Sequence, residues 1–316
     1  MKWQLCKSSA LTAVLILGIT LAAQAGGINS NAGTSAFSFL KINPGARAVG
    51  MGGAYTGLAD DELAFYYNPA GLSSIEERRF VGDYISYFAD MQSGMVGLVV
   101  PVGIDRVVGF HVSYLNYGTF TETDVAGNTL GDFGGGDILF GVSGAMRYRY
   151  NWQLGATMKF IYQKIQDFSA TGLAADLGAR YSRERGRIAF GAMVQNLGFQ
   201  MTSLGDEKDK LPLTFRGGVA AQPTGLNVTL AADLIMPVDN DPVLAVGGEY
   251  FEFKPLYVRL GWNSFGSNYR TADSQDSWAG LGIGVGFDIK EFQISYAFAP
   301  GAELGDSHRI TFTGGI

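Results

Sequence analysis

Leu226-Asn227-Val228-Thr229-Leu230-Ala231-Ala232-Asp233-Leu234-Ile235-Met236 is the stretch whose reading settles the fold class. Leu226, Val228, Leu230, Ala232, Leu234 and Met236 fall on one side of an extended chain, and Asn227, Thr229, Ala231 and Asp233 on the other. Successive side chains of a strand point to opposite faces, so a period of two predicts a strand with one apolar and one polar face. Its length is close to the ~10 residues that a tilted membrane-spanning strand needs.

The same alternation recurs in both directions. Ile138, Phe140, Val142, Met146, Tyr148 and Tyr150 oppose Asp137, Ser143, Arg147 and Arg149. Trp152, Leu154, Met158, Phe160 and Tyr162 oppose Gln153, Thr157, Lys159 and Gln163. Leu256, Val258, Leu260 and Trp262 oppose Tyr257, Arg259 and Asn263, and Phe292, Ile294, Tyr296 and Phe298 oppose Gln293, Ser295 and Ala297. Strands are predicted near 80–90, 93–102, 106–119, 137–150, 152–166, 171–183, 187–197, 212–222, 225–236, 242–253, 256–264, 278–289, 292–299 and 307–316. The fold class is therefore all-β, an antiparallel transmembrane β-barrel of about 14 strands.

The connections favour a membrane barrel over a soluble sandwich. Gly103-Ile104-Asp105, Asn151, Glu184-Arg185, Pro223-Thr224, Lys254-Pro255 and Lys290-Glu291 are short. Between them fall the longer, more polar 120–136, 167–170, 198–211, 237–241, 265–277 and 300–306. Tight turns at one end and longer loops at the other are the asymmetry of outer-membrane barrels. Aromatics near strand ends (Tyr148, Tyr150, Trp152, Tyr162, Trp262, Trp278, Phe298) fit interfacial girdles, although Tyr and Phe are also good strand residues. Alternation continues through His308-Arg309-Ile310-Thr311-Phe312-Thr313 to Ile316, like the C-terminal signal of such barrels but without its usual final aromatic residue.

Composition agrees. Of 316 residues 47% are apolar and 16% charged, against about 25% charged in soluble domains. Met1 to Lys7 is followed by the apolar run Ala10 to Ala23 and the small-x-small site Ala23-Gln24-Ala25, the pattern of a secretory signal peptide over 1–25. Cys6, the only cysteine, lies in that leader, so the exported chain carries no disulfide and no cysteine metal site. Without Lys2 and Lys7, 21 basic residues face 29 acidic ones, a net charge of −8 that argues against nucleic acid as a partner.

Ahead of the strands stands a different kind of segment. Gly45 to Leu72 reads G-A-R-A-V-G-M-G-G-A-Y-T-G-L-A-D-D-E-L-A-F-Y-Y-N-P-A-G-L. It is too rich in glycine for a stable amphipathic helix and too apolar for a disordered linker, so it needs a surface to pack on. Asn68-Pro69-Ala70-Gly71 is a turn signature. The blocks Gly45 to Ala54 (with Arg47, Gly50, Gly52 and Gly53), Ala59 to Asp61 (with Asp60) and Asn68 to Leu72 (with Asn68, Pro69 and Gly71) resemble, in order and spacing, the N-terminal region of the PorV/PorQ family of outer-membrane barrels. That family is similar in fold to the FadL-type transporters of long-chain fatty acids.

The resemblance implies two roles. PorV-like members are partners in type IX secretion, receiving secreted proteins and passing them to surface-attachment machinery. FadL-like members pass hydrophobic small molecules through a hatch and laterally into the membrane. The implied location is the bacterial outer membrane, with its lipid as a partner.

No catalytic constellation emerges. The two histidines, His111 and His308, sit in strands, and neither HExxH, CxxC nor Gly-x-Ser-x-Gly occurs. The chain is read as a non-enzyme without cofactor or metal. Asp60-Asp61-Glu62 lacks the further oxygen ligands a calcium site needs, and a solvated turn or an ion pair with lumen arginines is the better reading. Lumen-facing positions are expected to include Arg147, Arg149, Lys159, Asp233 and Arg259, forming a satisfied interior network or a polar path for solute. Gly280, Gly282, Gly284 and Gly286 alternate with the outward row Ala279 to Ile289 and leave room for another backbone. Residues 26–79 are accordingly expected to fold into the lumen as a plug or hatch, with the barrel spanning 80–316.

Overall fold

The computed structural model describes residues 31–87, 90–183, 186–269, 278–301 and 305–316. The predicted leader 1–25 with Cys6, the connection 184–185 and parts of the connections 265–277 and 300–306 lie outside the described residues.

Every predicted strand is present, with shifted ends: Tyr148, Tyr150, Leu226 and Ala279 fall outside theirs. The first half of the wall is β1 (Arg79–Ser86), β2 (Gln92–Pro101), β3 (Arg106–Thr123), β4 (Thr129–Arg147), β5 (Trp152–Ile165), β6 (Phe168–Arg183) and β7 (Ile188–Thr202). The second half is β8 (Thr214–Ala221), β9 (Val228–Pro237), β10 (Val243–Tyr250), β11 (Leu256–Asn263), β12 (Leu281–Ile289), β13 (Phe292–Pro300) and β14 (Asp306–Gly315). Each strand pairs antiparallel with its sequence neighbours, and β14 returns to β1 with Phe80 opposite Gly314, closing a cylinder of 14 strands.

The polarity of the wall is inverted relative to a soluble protein. In β5, Trp152, Met158 and Phe160 are exposed while Thr157, Lys159 and Gln163 are buried. Met158 is 68% exposed and its neighbour Lys159 only 3%. Val96, Phe110, Phe140, Phe190, Leu230, Leu260 and Ile283 continue the apolar exterior around the cylinder. An apolar outer band of this kind is at rest against acyl chains, not water. No helix among the described residues is long and apolar enough to cross a membrane.

Three expectations about the connections are corrected. Residues 120–136, expected as a loop, are mostly ladder: Phe120 faces Phe133 and Glu122 faces Gly131, and only the turn at Asp124–Asn128 remains. Its Gly, Thr and Asp residues lack alternation because a hairpin projecting beyond the apolar band is wet on both faces. For the same reason β7 runs on to Thr202 inside the expected loop 198–211. The connection 167–170 is a tight turn at Gln166 and Asp167, so long and short connections do not alternate strictly. The wall is consequently uneven: β3 to β7 have 14 to 19 residues, and the other strands 8 to 10.

Residues 31–75 run inside this wall. They form only short helical pieces, Ser38–Lys41, Ala46–Gly50, Ala64–Tyr67 and Pro69–Ser74. A larger apolar cluster joins Met51, Tyr55, Leu63, Phe65, Tyr67 and Leu72 to Val81, Met95, Val99 and Val107 of the wall, and a second joins Phe37, Phe39 and Leu40 to Leu115, Leu139 and Ile161. The core of this barrel is thus the N-terminal segment itself, packed on inward-facing side chains.

Candidate functional site

The interface between segment and wall begins with backbone. Gly282 and Gly284 of β12 lie against Val49 and Gly50: a Cβ at Gly282 would sit 2.0 Å from the Val49 carbonyl oxygen, and one at Gly284 would sit 3.1 Å from the Gly50 Cα. Gly286 instead makes room for the Arg259 guanidinium, 2.7 Å from where its Cβ would be. Gly280 is placed differently from expectation. With Ala279 it lies in the turn before β12, at φ +90°, because the wall is shorter on this side.

Sequence reading found only this run, yet the same device extends along the wall from β5 to β12. Gly155, Gly178, Gly191, Gly218, Gly247 and Gly261, on β5, β6, β7, β8, β10 and β11, each approach the segment so closely that a Cβ would lie 2.0 to 3.0 Å from one of its atoms. They face one another across the ladder in the pairs Gly155–Gly178, Gly191–Gly218 and Gly247–Gly261. One inward glycine per strand is a faint signal until register aligns them.

Buried carboxylates then receive the segment's free N–H groups. Asp83 accepts from Gly45 N at 3.0 Å and from Thr311 Oγ1 at 2.6 Å, which fixes the entry to the helix Ala46–Gly50. Asp233 accepts from Tyr55 N at 3.0 Å and Thr56 N at 2.8 Å. A buried N–H without a partner costs about 1–3 kcal/mol, so these two wall residues position a stretch that has little regular structure. Asp83 escaped sequence reading because β1 carries apolar residues on both faces.

The charged motif residues meet at the short-turn end. Arg47 contacts Glu249 at 3.0 Å, Asp60 at 2.8 Å and Asp61 at 2.8 Å, and Arg259 reaches the same Glu249 at 2.6 Å. Burial opposes the charge on Arg47, but Glu249 and the neighbouring acidic groups outweigh it and hold its pKa above the ordinary arginine value. Glu62 pairs with Arg79; its pKa is raised by burial and by Asp61, against the pull of Arg79. These groups line a polar vestibule of about 920 Å³ with Asp288, Lys290 and Glu291.

The remaining expected residues are dispersed along the interior. Asn68 donates to Thr56 O at 3.0 Å and Ala179 O at 3.1 Å and accepts from Ala70 N, with Pro69 opening the turn. Gly71 passes so close to Ala59 that no side chain would fit, and Gly52 and Gly53 take positive φ (68° and 85°) where the chain turns back. Arg147 donates to Ser73 O at 2.9 Å and pairs with Glu76, and Lys159 pairs with Asp176 at 2.6 Å. Arg149 is a correction: it is exposed in the turn after β4, stacked on Tyr148, because β4 ends at Arg147 and alternation has no meaning beyond it.

At the opposite end a cavity of about 300 Å³ separates the segment from the wall. Leu40, Ile42, Ile235, Val243 and Phe265 supply its apolar surface, with Tyr66, Gln195 and Arg216 deeper and Lys41 at the rim. A smaller space of about 40 Å³ follows inward, sharing Leu40, Ile42 and Tyr66 and bounded by Phe65, Met95 and His111. His111 lies on the lumen face with its ring 4.8 Å from that of Phe65. Among the described residues no cluster of His, Cys, Asp and Glu could hold a metal ion.

No family model matches the chain, and no curated protein matches its sequence. Solved structures do match. The Pseudomonas putida toluene transporter TodX superposes with a TM-score of 0.59 at 13% identity, over 85% of this chain and 96% of that one. The CymD monoaromatic hydrocarbon channel gives 0.57 at 11% identity, over 87% and 98%. A Pseudomonas aeruginosa FadL homologue gives 0.53 at 13% identity, over 86% and 97%. At such identities the likeness establishes the fold, a FadL-like 14-stranded barrel, and it does not extend to PorV/PorQ in particular.

Proposed function

We propose that this chain is an outer-membrane channel for small hydrophobic molecules, in which the N-terminal segment acts as a plug that shifts to let cargo pass. The observation that carries this reading is the partly apolar cavity beside Leu40, Ile42 and Phe265, open toward the end with the longer loops and continued inward by the space beside Phe65 and Met95. Such a series of partly apolar spaces between a plug and its wall suits a molecule that leaves water at one end. Toluene and monoaromatic hydrocarbons, for which two of the structural neighbours are a transporter and a channel, are of that class. The other role implied by the motif, a part in protein secretion, gains no support from the neighbours. Its residues Gly45, Arg47, Gly50 and Asn68 are taken up with holding the segment to itself and to the wall.

The plug can be pinned. Ser35 of the segment and Lys210 of the connection before β8 pair as neighbouring extended residues, a spacing of about 4.8 Å that suits a disulfide, and the exported chain would have no other cysteine. The initial rate of labelled toluene uptake is to be measured in cells whose outer membrane lacks other such channels. Expression of the wild-type chain should raise uptake, and the oxidised Ser35→Cys/Lys210→Cys variant should lose the gain until a reductant restores it. Uptake unaffected by oxidation would remove the moving plug, and uptake no faster than in cells without the protein would remove the channel.

A further inference from the structure

The 300 Å³ cavity has a charge pattern that a bare hydrocarbon does not need. Lys41 and Arg216 are its charged lining residues, and no carboxylate among the described residues lines it. The acids that balance them, Asp239 and Asp233, lie behind the lining. Arg216 is the more telling of the two. Its side chain is 2% exposed, and its Nη2 donates to Gly53 O at 3.0 Å and to Asp233 at 3.5 Å. One face of the guanidinium rests on the Tyr67 ring, Nε is buried without a partner and out of reach of the cavity, and Nη1 makes no hydrogen bond to the described residues. A guanidinium has five N–H donors and no acceptor, so donors left over beside a cavity call for an oxygen from outside the protein. Planar, delocalised Arg suits a carboxylate, which it can bind through two parallel N–H bonds.

The rest of the cavity fixes the body of the ligand. Its volume is at the lower end of ligand pockets, about 300–1,000 Å³, which fits one ring better than a long chain. Tyr66, Tyr87 and Phe265 contribute ring surface, and Ile42, Ile235 and Val243 aliphatic surface. Resting on the channel reading, we infer that this cavity is a binding site for a small aromatic monocarboxylate, its ring against the tyrosine and phenylalanine side chains and its carboxylate on Arg216, drawn in past Lys41. The cargo would then be an oxidised aromatic, in contrast to the hydrocarbons named for the structural neighbours.

Benzoate, benzamide and toluene distinguish the possibilities because they share one ring and differ in the group it bears. Binding to the purified full-length exported chain in maltoside detergent, measured by calorimetry, should be at least about tenfold tighter for benzoate than for benzamide, as a charge-assisted bond implies. In Arg216→Gln that ratio should fall toward one, and Lys41→Gln, which touches no backbone group of the segment, should lower it part of the way. Benzoate bound no more tightly than benzamide by the wild type overturns the carboxylate site. If toluene nevertheless binds, the channel reading stands without it; if none of the three binds, both fall.

Discussion

Glu62 shows what a lumen lined by side chains does to one residue. It is 1% exposed, adjoins Asp61 and has Arg79 as its partner, and burial and Asp61 lift its pKa above the ordinary value of about 4.5 despite that partner. The folded chain therefore holds a proton at pH values where the unfolded chain has lost it. The residue favours the folded state fully below pH 4.5, and this contribution fades as the pH rises through the raised folded value. Glu62→Gln removes the titration, so the wild type should lose thermal stability relative to Glu62→Gln as the pH is raised from 4.5. Parallel melting curves for the two proteins across that window would contradict the assignment. The sequence gives Asp60-Asp61-Glu62 as an acidic trio beside lumen arginines, but not that Arg47 takes the first two and Arg79 the third. That division depends on which arginines the fold brings within reach.

At the scale of elements, the segment 31–75 and the strand β12 need each other's glycines. Leucine at Gly282 would drive a side chain into the Val49 carbonyl, and overpacking of this kind costs about 1–3 kcal/mol even where side chains can yield. Gly282→Leu should leave the wall assembled and dislodge the segment, so that added protease cleaves between 45 and 75 faster than in the wild type. Gly144→Leu is the matched control, because it lies on the outer face with nothing near the position of its Cβ. Equal protection of the segment in all three proteins would count against the glycine contact. The strands themselves were legible, since a period of two survives in any strand with one lipid face and one wet face. The hairpin beyond Thr119 and Gly134 was not, because neither of its faces meets lipid and nothing in its residues alternates.

For the whole molecule, inverted polarity has a direct consequence. The purified chain should stay monodisperse only in detergent or lipid, migrate faster on a gel before boiling than after it, and aggregate when the detergent is withdrawn. A stable monomer in plain buffer would refute the membrane barrel. The sequence by itself determined the number of strands, their antiparallel order and, where alternation is clean, which face is greasy, because these are local consequences of alternation along one chain. Only the tertiary structure decided that eight inward glycines, from Gly155 to Gly284, lie along the wall against residues 49–70, and that Asp83 and Asp233 anchor the segment. It alone placed Arg216 beside a cavity with donors to spare. Contacts inside a closed cylinder join residues hundreds of positions apart, and no periodicity along the chain encodes which of them meet.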